Sequence, residues 1–326
     1  MKFGIGQPAY RWEDQRLLTG NGRYVSDIEL PQQAYGYILR SPHAHAIVGH
    51  IDISQATNQP GVLLVLTGED YASSGLGDTK CNLKRARPDG SPDYFAPQPL
   101  LVRDRVRSVG DPVAFVVAES LFSAMDAAEL IDVSYDVLPA VTETRNAISE
   151  NAPRVWDEIE NNVSNIFEIG DKAVVEMALQ NADHVVEAEF DISRVSGNAM
   201  EPRGAIGDYQ ASENSFTLYT DTQAPHSLRQ ILAEQIFFVP VENMRVVAPD
   251  VGGAFGVKSG PYIEPRLCLW AARELSRPVK WVSTRNEGFQ SDSHGRDNFV
   301  RAELAIRNNG TFAALRVNSI ANVGAY

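Results

Sequence analysis

The chain has 326 residues, and although 44% of them are apolar, no run approaches the ~20 residues needed to cross a bilayer, which argues against a membrane-spanning class. With 29 Lys and Arg against 42 Asp and Glu, the net charge of −13 repels a phosphate backbone and argues against a nucleic-acid partner. The opening M-K-F-G-I-G-Q-P turns polar too early for a secretory signal, so the expectation is a cytoplasmic chain of about two domains.

In chain order, 34–40, 46–53 and 61–66 read as strands bounded by Pro and Gly, and a polar stretch at 77–94 reads as loop. P-V-A-F-V-V-A at 112–118 is a continuous apolar run, the pattern of a buried strand. Ser120 is placed to cap a helix on which Leu121, Ala124, Met125, Ala128 and Ile131 share a face. V-S-Y-D-V-L-P then reads as a strand, which predicts a strand–helix–strand unit over 112–138. Residues 139–165 lack periodicity and mix Pro, Asn, Glu and Arg; the boundary between a first unit, 1–145, and a second, 146–326, is placed there. Beyond it the pattern predicts a helix at 171–181 and strands at 184–193, 204–210 and 215–220. A helix at 225–237 with Pro225 in its first turn and a strand at 244–248 come next. A glycine stretch follows, then a helix at 262–275 and strands at 278–283, 298–307 and 312–320. Strands and helices mix without strict alternation, so α+β (mixed α/β) fits better than a doubly wound sheet. The closing N-V-G-A-Y carries no cap or polar tail, and the expectation is that the structure continues elsewhere.

Chemistry-bearing residues are sparse. Cys81 and Cys268 are the only cysteines; an iron–sulfur cluster takes four, and no CxxC pair is present. They read as unconnected packing or surface residues, so electrons from any redox reaction would leave through a group this chain does not contain. His43 and His45 would share one face of a strand, but Pro42 and the want of a third ligand favour structural histidines. The stretch P-D-V-G-G-A-F-G-V-K at 249–258 is not a P-loop, because Lys258-Ser259 follows its glycines at the wrong spacing, and Gly252, Gly253 and Gly256 give G-G-x-x-G rather than G-x-G-x-x-G. It is either a turn or bulge, or a backbone stripped of Cβ atoms that can set N–H groups against a flat, polar ligand. Gln223, in T-D-T-Q-A-P-H, stands just before a helix start, where it either caps the helix or offers its amide to an oxo ligand or substrate. Glu201 and Asp250 are expected to cap a helix or to pair with Arg203 or Arg245. Neither G-x-S-x-G nor H-E-x-x-H occurs.

Taken together, ordered motifs carry a resemblance. They are R-L-L-T-G-N-G-R-Y-V-S-D-I-E-L-P (16–31), R-S-P-H-A-H-A (40–46), G-D-P-V-A-F-V-V-A-E-S (110–120), T-D-T-Q-A-P-H (220–226), P-D-V-G-G-A-F-G-V-K (249–258), R-P-V-K-W (277–281), G-R-D (295–297) and N-V-G-A-Y. In this order they resemble the molybdopterin-binding large subunit of the xanthine dehydrogenase, aldehyde oxidase and carbon monoxide dehydrogenase family. The resemblance implies an α/β-hammerhead domain followed by the first part of a molybdenum-cofactor domain. It implies a molybdenum–molybdopterin cofactor, with the cytosine dinucleotide form as a candidate, that oxidises an aldehyde or N-heteroaromatic C–H with oxygen from water. Electrons would pass to an iron–sulfur small subunit and an FAD medium subunit. Gln223 would hydrogen-bond an oxo ligand of the metal, and Gly252, Gly253, Ala254, Phe255 and Gly256 would lie against the cofactor, with Phe255 as an apolar wall of the substrate pocket. No residue here would ligate the metal or act as general base; that glutamate would come with the polypeptide supplying the C-terminal half, and the chain alone would be inactive. Ala254 stands where many members have a third glycine. Ser259 lacks the acid that grips a purine ring in purine-oxidising members, which argues against xanthine as substrate. The competing expectation is a truncated, cofactor-free chain acting at most as a docking scaffold.

Overall fold

The structure is a computed structural model that describes residues 6, 8–79, 81, 87–159 and 161–326; the opening residues and part of the predicted 77–94 loop lie outside the described residues. The first half of the chain gives α1 (Asp14–Leu18), β1 (Ala34–Arg40), β2 (Ala46–Asp52), α2 (Ser54–Thr57), β3 (Val62–Thr67) and α3 (Gly68–Ser73). It continues with β4 (Arg105–Val106), β5 (Pro112–Ala118), α4 (Leu121–Ala128), β6 (Asp132–Val137) and α5 (Thr144–Ala147). The second half gives α6 (Lys172–Gln180), β7 (His184–Ile192), β8 (Gly204–Gln210), β9 (Ser215–Thr220), α7 (Pro225–Ile231) and β10 (Met244–Val247). It ends with α8 (Ile263–Leu275), β11 (Val279–Val282), α9 (Arg285–Ser291), β12 (Asn298–Ile306) and β13 (Phe312–Ala321). The mixed α/β class expected from the sequence is the class observed.

A seven-stranded sheet of order β10-β9-β8-β11-β1-β5-β3 forms the centre, and two three-stranded sheets, β13-β12-β7 and β4-β2-β6, flank it. The central sheet draws strands from both sides of residue 145, because β1 pairs in parallel with β11 through Ala34 and Val279. Strand β5 lies between β1 and β3 and is buried along its whole length, as its unbroken apolar run requires. Its side chains alternate between two cores. Phe115 and Val117 join Leu218, Leu232, Leu267 and Trp270 beneath α7 and α8, while Ala114 and Val116 meet Ala124, Ala127 and Ala128 of α4. Helix α8 approaches β8 so closely that a Cβ on Gly207 would come within 2.5 Å of the Cys268–Leu269 backbone. That contact fixes the height of α8 above the sheet.

Helix caps form where the sequence places them. The Ser120 hydroxyl accepts from Ser123 N at 3.1 Å, and the Asp171 carboxylate accepts from Val174 N at 3.1 Å. Two expectations change. The elements of the 112–138 unit form, but β5 and β6 enter different sheets: β5 is apolar on both faces and needs cover on both, whereas D-V-S-Y-D-V of β6 has little to bury. The helix expected over 225–237 is α-helical only to Ile231. A wider π-type turn then turns Leu232, Ala233, Ile236 and Phe237 into the core and closes at Phe238 with φ 51°.

Candidate functional site

Three loops converge at one edge of the central sheet: 197–203 before β8, 221–224 after β9, and 248–260 after β10. The ends of β8 and β9 are clamped first. Thr220 Oγ1 donates to Gly204 O at 2.8 Å, and Gly204 N donates to Asp221 Oδ1 at 3.0 Å. Lys258, only 4% exposed, reaches back from the glycine loop, donating to Glu201 Oε2 at 2.9 Å and pairing with Asp221. Glu201 Oε2 also accepts from Gly252 N at 2.6 Å, and Gln223 N donates to Lys258 O at 2.9 Å. One ammonium and two carboxylates therefore tie all three loops together, and Gln223 is fixed beside the glycine loop. Burial raises the Asp221 carboxyl above its ordinary range, with Lys258 opposing. Glu201 Oε1 is buried without a partner among the described residues.

The glycines act in different ways. A Cβ on Gly252 would fall 2.6 Å from Glu201 Cβ, so what comes close to that position is the chain itself. Gly253 and Gly256 have φ of 101° and 90°, the left-handed region that favours glycine. Beside Gly256 nothing lies within 4 Å of where a Cβ would be. Between them Phe255 is held at φ 52° and is 77% exposed. The N–H groups of Gly253, Ala254, Phe255 and Gly256 donate to no other described residue. Successive unpaired N–H groups on a backbone that visits positive φ can gather around an oxygen acceptor. A molybdenum–pterin group, rich in acceptor oxygens, fits that donor set. The described residues hold no cluster of His, Cys, Asp or Glu able to bind a metal ion, and they hold no helix long and apolar enough to cross a membrane.

Behind the loop lies a small cavity lined by Arg203, Thr220, Asp221, Lys258, Tyr262 and Trp281, about 20 Å³ in volume and large enough for a single water. That volume is too small for a cofactor. A buried charge network supports this wall. Arg203 donates to Glu264 at 2.6 and 3.0 Å and to Asp292 at 2.6 Å, and its guanidinium stacks 3.7 Å above the Tyr262 ring. Arg40 donates to Glu264 and Glu287, each at 2.8 Å. Burial alone would raise the Glu264 carboxyl; Arg203 and Arg40 instead hold it down at about 2.

The structure thus brings Gln223, Gly252, Gly253, Ala254, Phe255 and Gly256 to one place. Glu201 and Asp250 do form ion pairs, but with partners other than Arg203 or Arg245. Glu201 takes Lys258, while Asp250 takes Arg16, whose Nη2 donates at 2.7 Å, and the N–H of Arg23, also at 2.7 Å. The Arg16 hydrogen bond, with that of Arg23, depresses the Asp250 carboxyl to about 2. His43 packs edge-on to Tyr135, and His45 meets Pro139 O at 2.9 Å, both structural roles. Cys81 is exposed and Cys268 buried, and they are not joined. Sequence reasoning missed the Lys258–Asp221 pair, although T-D-T-Q and V-K both sit inside recognised motifs. It also missed α9, whose Thr284 side chain accepts from Glu287 N at 3.1 Å, a cap legible in T-R-N-E.

Residues 155–326 match the family model described as molybdopterin cofactor-binding domain, and residues 19–139 match that of the aldehyde oxidase and xanthine dehydrogenase a/b hammerhead domain. The chain is 36% identical over 99% of its length to the nicotine 6-hydroxylase large subunit of Paenarthrobacter nicotinovorans, covering 38% of that protein. It is 33% identical, again over 99% of its length, to the carbon monoxide dehydrogenase large chain of Afipia carboxidovorans, covering 40% of it. The crystal structure of quinoline 2-oxidoreductase from Pseudomonas putida 86 superposes with a TM-score of 0.88 at 36% identity, over 98% of this chain and 39% of that one. The chain therefore spans about two fifths of the length of the relatives it matches.

Proposed function

This chain belongs to the molybdopterin cofactor-binding family of aldehyde oxidase and xanthine dehydrogenase large subunits, and from that premise we propose that it forms one wall of a molybdenum hydroxylase active site. When bound, the cofactor supplies the two-electron oxidation of a substrate C–H bond, with water as the oxygen source. The chain's own residues bind and orient. The N–H groups of 253–256, which donate to no other described residue, would hold acceptor oxygens of the cofactor, here assigned the pterin form with or without a cytosine dinucleotide. The Gln223 amide, fixed through its backbone to Lys258, donates a hydrogen bond at the reacting centre. Phe255 gives the substrate an apolar face.

The observation that carries this reading is Phe255. A bulky residue at φ 52° costs roughly 1–2 kcal/mol of backbone strain, and a residue 77% exposed recovers little of it by burial. Such strain clusters at functional sites, and unlike Phe238, whose φ of 51° closes a helix, Phe255 lies in a loop whose N–H groups at 253–256 have no acceptor among the described residues. Nicotine and quinoline, named for two relatives, are N-heteroaromatics, and that is the substrate class assigned to this site. Ser259 Oγ donates to Gly256 O at 2.7 Å and carries no charge with which to grip a purine. With two unlinked cysteines the chain holds no iron–sulfur cluster, so clusters and FAD are assigned to partner subunits. In the assembled enzyme, Gln223→Ala lowers kcat by roughly a hundredfold at unchanged molybdenum content. An unaltered kcat removes Gln223 from the site.

A further inference from the structure

The β7–β12–β13 sheet wears its side chains the wrong way round for a sheet that ends at solvent. Residues opposite one another in the register share a face. Val186, Leu304 and Leu315 form one row, Ala302 and Val317 belong to the next, and Phe190 to a third. The other face is charged: Arg301 Nη2 donates to Glu187 at 2.9 Å, Arg316 pairs with Glu303, and Arg145 pairs with Asp191. Yet the helices lie on that charged face. Leu179 of α6 lines a groove with Val185, Glu303 and Arg316, and Arg145 of α5 stacks 3.8 Å from the Phe299 ring. The apolar face is left open, and Val186, Phe190, Leu315 and Val317 are each more than half exposed. A sheet with one wet face turns its apolar side toward a core, and an open apolar patch of this kind marks an interface.

We infer that this face is the docking surface for the part of the large subunit that the relatives carry outside the matched region, an inference that rests on the reading of the chain as part of such a subunit. Two facts select that occupant. The chain aligns over 99% of itself but over only 38 to 40% of its relatives, so most of each relative has no counterpart here. The open face also leads into the site. Past β7 the chain bridges Val195 to Gly295 and reaches Gly197, where a Cβ would lie 2.6 Å from Val257 and 3.3 Å from Phe255. A polypeptide seated on the face is thereby brought to the margin of the glycine loop. A second copy of this chain would cover the face but leave the loop as it is.

The test is capture by the tagged chain of the segment of the P. nicotinovorans nicotine 6-hydroxylase large subunit that lies outside the matched region, expressed as a separate polypeptide. The wild-type chain captures it. The triple variant Val186→Glu/Leu315→Glu/Val317→Glu binds it about a hundredfold more weakly or worse, with its own circular dichroism spectrum unchanged because those side chains are already exposed. Phe122→Glu, on α4 and 78% exposed, leaves capture intact. No capture by wild type, or equal capture by the triple variant, overturns the inference. So does a wild-type dimer in sedimentation that the triple variant dissolves, which would make a second copy the occupant. Molybdenum analysis separates the two readings. Capture that needs the open face but brings no molybdenum sustains the surface and removes the cofactor assignment; molybdenum with face-independent capture does the reverse.

Discussion

Replacing Lys258 by Met removes a cation that joins the three loops while keeping its volume. Glu201 and Asp221 then stay behind, both largely buried and without their shared partner. Removing one member of a buried pair costs about 3–5 kcal/mol, enough to lower the urea midpoint by roughly 1–2 M. The sign of the pH dependence follows from Asp221, whose folded-state carboxyl is already raised by burial. In the window above its unfolded value the folded state holds more protons than the unfolded state, so stability falls as pH rises. Without Lys258 that window widens upward. Urea unfolding at pH 5 and pH 8 should show the variant penalised at both and more heavily at pH 8. A loss below about 0.5 kcal/mol, or one independent of pH, refutes the claim that the ammonium organises the loops.

Glu264→Gln leaves Arg40 and Arg203 short of their shared counter-charge and should cost about 3–5 kcal/mol at neutral pH. Because the Glu264 carboxyl is depressed to about 2, its contribution of roughly 3 kcal/mol is present above pH 4.5 and lost as pH falls toward 2; the variant's urea midpoints should lack that acid limb. Gly252→Ala forces a Cβ to 2.6 Å from Glu201 and should destabilise by about 1–3 kcal/mol, whereas Gly256→Ala meets open space and should cost about 1 kcal/mol, from its φ of 90° alone. Thermal midpoints of the two variants check that order.

Much of the fold was legible because it is local. The two-sided apolar run of β5, the Ser120 cap and the helical spacing of α4 are written in neighbouring residues. What joins β1 to β11, or sends β5 and β6 to separate sheets, is not, since strand partners are chosen by which faces find cover. The candidate site divides the same way. Gln223 and the glycine loop were found through motif order, but the reason for Gly252 lay in Glu201, a contact between distant loops. The left-handed conformation of Phe255 leaves no mark in composition or periodicity. The alternation V-x-A-x-F-x-I of β7 shows that one face is apolar; only the packing of α5 and α6 on the other reveals that it is open.

The most direct test is elemental and pterin analysis of the complex recovered through a tag on this chain, after expression together with the region of the large subunit that the relatives carry outside the match. One molybdenum and one pterin per copy are expected, falling together when Gly253→Val closes the loop. A complete, stable complex that contains neither would contradict the account.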